Sequence, residues 1–109
     1  MREFDPNEAI WESVQNTKQN AVVVLIRGGN EALLQAVKSK LQALVHQGIN
    51  RVGIIRSTTR QESSTPSIGI FADGTIYATI KDVESDTQSM WSLYNLVRDA
   101  YEEYVVPKL

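Results

Sequence analysis

Two short polar segments carry residue types that could bind an anion. The first is Arg27-Gly28-Gly29-Asn30, which follows an apolar run and precedes an amphipathic stretch. The second spans residues 56–60 and has an arginine at each end with hydroxyl side chains between them. Glycine amides, guanidinium groups and the positive end of a helix together suit phosphate, sulfate or carboxylate. The candidate anion site therefore comprises Arg27, Gly28, Gly29, Asn30, Arg56, Ser57, Thr58, Thr59 and Arg60.

These two segments match no named phosphate-binding motif. The lysine of a P-loop is missing, and the glycine spacing differs from that of a dinucleotide-binding fingerprint. A structural interpretation is the favoured one: the two glycines form a tight turn, Asn30 caps the helix that follows, and the arginines are solvated. Anion binding stays open as the alternative.

Groups for catalysis or metal binding are sparse. Asp82, Glu84 and Asp86 alternate, but the glycine and the bidentate glutamate of a calcium loop are replaced by other residue types. The single histidine, His46, falls in the last turn of a predicted helix, where it interacts favourably with the terminal carbonyls. The chain has no cysteine. We expect no metal, no cofactor and no catalytic residues; a small hydrolase or transferase acting on a phosphorylated substrate is a weaker alternative, since no general base is evident.

The tryptophans are candidate contact residues. Trp91 falls outside the buried stripe of the last predicted helix when its apolar residues are placed inward, namely Met90, Leu93, Tyr94 and Val97. Trp11, near the amino terminus, is the other large aromatic that could lie at an interface. We predict Trp11 and Trp91 as interface anchors.

A strand-helix-strand unit must position the two polar segments. Residues 21–26 are apolar at every position, which predicts a strand buried on both faces. An amphipathic helix begins after Asn30, and residues 51–56 form the second strand. A long helical connection implies parallel strands and a right-handed crossover. The carboxyl ends of the two strands, with their arginines, should therefore meet at one edge of the sheet.

The remaining elements complete an α/β domain with a mixed, α+β-like sheet. A helix is predicted for residues 6–17, and Asp73-Gly74 joins strands 67–72 and 75–80 as a hairpin. A final helix ends at Pro107. The predicted order is α-β-α-β-β-β-α, with four strands, one parallel pair and one hairpin.

The hairpin dipeptide also predicts which residues share a face. Phe71 should lie opposite Ile76, and Gly69 opposite Ala78, on one side of the sheet. Tyr77 and Thr79 should lie on the other side. The segment at residues 57–67, between the second strand and the hairpin, is the longest predicted loop and is typical of a functional or mobile connection.

Length and composition narrow the class of protein. The chain has 109 residues, about one domain, with 42% hydrophobic residues and a net charge of −2. That charge offers no general attraction to nucleic acid or anionic lipid. The amino terminus has no signal-peptide pattern, and no apolar run could span a membrane. We expect one soluble, cytoplasmic domain at residues 1–109.

The sequence favours a binding or protein-interaction module over an enzyme. A strand that is apolar on both faces needs a cover on each, and either the amino-terminal helix or a second subunit could provide the second one. Because this strand and the tryptophans suggest more apolar surface than one helix layer needs, we expect a homo-oligomer, with a dimer as the simplest form. A small anionic ligand is the alternative partner, and nucleic acid is not expected.

Overall fold

A computed structural model describes residues 2–3, 21–57, 66–83 and 87–109 of the chain. The predicted helix at residues 6–17 and most of the predicted loop at 57–67 lie outside the described residues. The described elements are β1 (Arg2–Glu3), β2 (Val22–Arg27), α1 (Glu31–Val45), β3 (Val52–Ser57), β4 (Ser67–Ala72), β5 (Thr75–Ile80), α2 (Thr87–Tyr104) and a 3-10 turn (Val106–Lys108).

The strands form one mixed sheet in the order β1-β3-β2-β4-β5. The predicted parallel pairing of β2 with β3 is confirmed, and β4 pairs antiparallel with both β2 and β5. The predicted four-stranded mixed sheet is therefore confirmed. The two-residue strand β1 adds in parallel to β3 and was not predicted, because two residues carry no periodic pattern.

Both helices pack on one face of the sheet, here called the helix face. Helix α1 begins where predicted and buries one stripe in the core, next to α2 and β3, while its polar side faces solvent. The chain leaves α1 through Gly48, which has a φ of 90° as expected for a left-handed stop. The buried residues that α1 and β2 contribute to this core are Val22, Val24, Ile26, Leu33, Val37, Leu41 and Leu44.

The opposite face of the sheet carries a smaller apolar cluster. Val23, Leu25 and Ile55 are buried there, with exposed fractions of 1%, 2% and 3%. The described hydrophobic side chain that packs against them is Phe71. Strand β2 is thus buried on both faces, as its unbroken apolar run predicts.

The hairpin has the predicted turn but a different register beyond it. Phe71 lies opposite Ile76 as predicted, whereas Gly69 lies opposite Thr79 instead of Ala78. The register shifts by one residue because a bulge interrupts the ladder, so Tyr77 is the extra residue of β5. The prediction that Thr79 shares a face with Tyr77 is therefore wrong.

Tyr77 lies on the helix face, the side opposite Phe71 that the turn predicts for it. Its ring contacts that of Tyr104 edge-on, with ring centroids 6.0 Å apart. Burial there, followed by the nearby Glu103 and Asp99 carboxylates, raises the pKa of Tyr77. Strand β5 is thus attached to α2 by an aromatic contact that its alternating pattern alone does not predict.

Within the described residues, neither helix is long and apolar enough to cross a lipid bilayer.

Candidate functional site

The two arginine-bearing strand ends lie side by side. The parallel register places Ile26 beside Arg56 and Arg27 beside Ser57. The predicted meeting of these strand ends is confirmed. Thr58, Thr59 and Arg60, which belong to the same predicted site, lie outside the described residues.

The turn between β2 and α1 is shaped by its glycines and closed by Asn30. Gly28 and Gly29 have φ values of 77° and 79°, in the left-handed region that favours glycine. The Asn30 carboxamide oxygen accepts a hydrogen bond from the Leu33 amide at 3.0 Å. Its carbonyl oxygen accepts from Leu34 at 3.2 Å. The predicted cap is therefore confirmed, and it uses an amide that an anion at the start of α1 would otherwise contact.

Close packing adds a second constraint at Gly29. A Cβ atom at this position would lie 2.6 Å from Cδ2 of Leu33 and 3.5 Å from Cβ of Pro66. Leu33 is itself buried in the helix-face core. The turn therefore requires glycine both for its backbone conformation and for space.

Arg56 is bound to groups of its own chain. Its guanidinium donates to the Gly29 carbonyl at 3.1 Å and lies 3.4 Å from a Glu31 carboxylate oxygen. Gln35 donates to the other Glu31 oxygen at 3.0 Å. The Glu31 carboxylate thus stands where an external anion would meet Arg56, and the side chain of Arg56 is only 28% exposed. These contacts tie the β2–α1 turn to β3.

The structure adds one acidic group to the edge that was predicted to bind an anion. Of the described predicted site residues with a side-chain charge, Arg27 is exposed and Arg56 is half-buried in its contact with Glu31. The sequence does not reveal the Glu31 contact, since 25 residues separate the two partners. Anion binding here remains a prediction, with Arg27 as its most accessible cation.

The only histidine lies at the other end of α1. His46 is the carboxyl-terminal cap of the helix, and its backbone amide donates to Gln42. A helix of 15 residues is about 22 Å long, so the imidazole cannot act together with the Glu31 carboxylate. This distance weakens the hydrolase interpretation.

The described residues contain no group of three histidine, aspartate or glutamate side chains that could hold a metal ion. Asp82, two residues after β5, has a left-handed backbone with a φ of 53°. Glu84 and Asp86, the other members of the acidic triplet, lie outside the described residues.

A second candidate site lies on the outer surface of the helices. Trp91 is 48% exposed, so its predicted position outside the buried stripe is confirmed. Its ring meets that of Tyr94 edge-on at 5.1 Å, and the Lys40 ammonium lies 4.1 Å from its centroid. The Arg98 guanidinium lies 5.8 Å from the Tyr94 ring. We call these four residues, Lys40, Trp91, Tyr94 and Arg98, the Trp91 surface, in which Tyr94 is the buried member that supports the Trp91 ring.

Packing between the helices creates this surface. Lys40 comes from α1 and the other three residues come from α2. Helical periodicity separates Trp91 from the core, but only the way the two helices pack brings Lys40 over its ring. Sequence reasoning therefore found the tryptophan and missed both cations.

Trp11, the other predicted interface anchor, lies outside the described residues. In comparisons with known proteins, no family model matches this chain and no curated protein matches it.

Proposed function

We propose that this chain is a small, homo-oligomeric protein-interaction module and that the Trp91 surface is a contact surface for a protein partner. The observation that carries the proposal is the half-exposed Trp91 ring, held between Tyr94 and Lys40. A cytoplasmic location is part of the same proposal.

Several properties of Trp91 suit a contact residue. Tryptophan is enriched among the residues that contribute most to protein–protein binding, and a ring already fixed by neighbours loses little entropy on association. The surrounding Lys40 and Arg98 stems can cover the rim of an interface while their charges remain in water. A partner that covers the ring removes a large apolar area from solvent.

The anion-binding alternative has weaker support. Arg56 already contacts Gly29 and Glu31, and these contacts account for its position without a ligand. An anion would have to compete with the Glu31 carboxylate for Arg56 or bind at Arg27 alone. We therefore favour a structural role for this turn.

Site-specific photocrosslinking tests the function. A benzoylphenylalanine placed at position 91 should give discrete adducts in cells that produce the protein. The matched control places the same residue at Gln42, an exposed position on α1. Lys40→Glu should lower the adduct yield at position 91 because it changes the charge beside the ring.

The mass of an adduct shows whether the partner is a second copy or a different protein, and either result supports an interaction module. Equal yields at positions 91 and 42 would contradict the proposal. So would the absence of any adduct at position 91 while the protein is folded, as judged by its circular dichroism.

A further inference from the structure

We propose that a second copy of this chain pairs with strand β5 in the antiparallel direction, so that two sheets join into one. This inference rests on the homo-oligomeric part of the proposed function and names β5 as the surface through which two copies associate. Strand β5 is the last in the sheet order, and among the described residues it pairs with β4 alone. Its outer edge therefore presents backbone donors and acceptors that another strand can bind.

The composition of β5 lacks the usual protection of an edge strand. Thr75–Ile80 reads TIYATI, with no charged residue and no proline in six positions. Edge strands that avoid pairing commonly carry lysine, proline or an inward-pointing charge. Here the one protective feature is the bulge at Tyr77, which leaves Ala78–Ile80 in regular pairing with β4. The strand is therefore suited to further pairing along much of its length.

An exposed apolar patch adjoins this edge. Ile76 is 51% exposed and lies on the sheet face opposite the helices, next to the partly buried Phe71. Gly69 has no side chain to cover Ile76, whose Cδ1 atom is 3.8 Å from the position a Cβ would take there. An antiparallel pair has its twofold axis perpendicular to the sheet. The Ile76 side chains of both copies would therefore lie on the same face of the joined sheet.

The charges at the two ends of β5 favour antiparallel pairing with a second copy. Asp73 precedes the strand and Lys81 follows it, and both are exposed. An antiparallel pair places each Lys81 near the Asp73 of the other copy, whereas a parallel pair brings like charges together. Lys108 also contacts Asp73, with Nζ 2.7 Å from Oδ1. Beyond Lys81 the chain leaves the strand: Asp82 has a left-handed backbone, Val83 is buried, and the Val83 amide donates to Pro66.

The expected dimer is weak. A pair of six-residue strands with one exposed apolar side chain each buries less than the ~1,200 Å² typical of stable complexes. Association should therefore depend on concentration and should be sought by sedimentation between about 10 µM and about 1 mM protein.

Lysine substitutions test the edge directly. Ile76→Lys combined with Thr79→Lys places charges at two exposed positions of β5, so folding should persist. We expect the dimer dissociation constant to rise at least ~10-fold. The control is Gln42→Lys, which adds charge on an exposed helix position and should leave dimerisation unchanged. A wild-type protein that stays monomeric throughout the range would overturn the inference, as would a dimer that resists both lysines.

Disulfide trapping tests the direction of pairing, because the chain has no native cysteine. Under mild oxidation, Ile76→Cys mixed with Thr79→Cys should link across copies faster than either variant links with itself, because the two positions share the sheet face opposite the helices. The control variant Gln42→Cys should link no faster than free collision allows. Preferential linking of Ile76→Cys with itself would contradict the antiparallel arrangement.

Failure of this inference can be separated from failure of the proposed function. A dimer lost with Trp91→Ala but kept with the two β5 lysines would move the second copy to the Trp91 surface, overturning the β5 inference while leaving an interaction module. A monomer that still gives adducts at position 91 would overturn both the β5 inference and the homo-oligomeric part of the proposal, while leaving a module that contacts a different protein. Absence of adducts at position 91 with an intact β5 dimer would instead contradict the Trp91 contact surface.

Discussion

The β2–α1 turn and the Trp91 surface both contain residues that the sequence marks as candidates for binding, yet the fold uses them differently. In the turn, Asn30 and Arg56 bind groups of their own chain. At the Trp91 surface, half of a large aromatic ring remains in solvent despite contacts with Lys40 and Tyr94. Residue type alone therefore does not identify a binding site. What matters is whether the side chain already binds groups of its own chain or remains exposed to solvent.

The largest effect is expected for Gly29→Ala. The substitution forces a non-glycine residue into a left-handed conformation and brings its Cβ against buried Leu33. We expect the free energy of unfolding to fall by roughly 2–4 kcal/mol, as measured by urea denaturation.

The matched control is Gly48→Ala, where φ is also positive but nothing lies within 4 Å of the added atom. Its cost should be about 1 kcal/mol, from the backbone alone. Equal losses at the two glycines would show that the contact with Leu33 does not constrain the turn.

Removal of the cap should have the next largest effect. Asn30→Ala leaves the Leu33 amide without its side-chain acceptor and should lower the free energy of unfolding by about 1 kcal/mol. Asn30→Asp should retain most of the stability, since a carboxylate can accept the same hydrogen bond. If both variants were equally unstable in urea, the cap would not be the reason for the loss.

Arg56→Ala tests whether Arg56 stabilises the β2–α1 turn or binds an anion there. It removes the contact with the Gly29 carbonyl, which is partly shielded from water, and should cost about 1 kcal/mol in urea denaturation. Glu31→Gln should cost less than about 0.5 kcal/mol because the Glu31 side chain is largely exposed to solvent. If Arg56→Ala kept its stability but lost phosphate binding that the wild-type protein shows, the anion site would be favoured instead.

Lys40→Gln should have the smallest effect on stability. An exposed cation over an aromatic ring contributes about 0.5 kcal/mol, so denaturation should change little. Tryptophan fluorescence should still report the change around Trp91. A loss of 2 kcal/mol or more would mean that this surface supports the fold rather than a partner.

The sequence predicts the elements of the fold better than it predicts the contacts between them. The parallel pair, the Asn30 cap and the Asp73-Gly74 turn follow from local patterns, and all three are confirmed. The register of β5 beyond Ile76 does not follow, because its alternating pattern does not mark the bulge at Tyr77.

For the candidate sites too, the sequence predicts where the residues lie better than it predicts their contacts. Parallel pairing predicts that the ends of β2 and β3 meet, but the local pattern does not show that Glu31 binds Arg56. Periodicity places Trp91 outside the core, but it does not show that Lys40 from another helix covers the ring. Contacts between residues distant in sequence decide which polar groups remain available to a ligand.

The central claim is that proteins contact the Trp91 surface and not the β2–α1 turn. The most direct test places the same photoreactive residue at position 91 and at Arg27, the exposed arginine of the turn, and compares adduct yields in cells. We predict discrete adducts at position 91 and none above background at position 27. Adducts at position 27 without any at position 91 would contradict the claim.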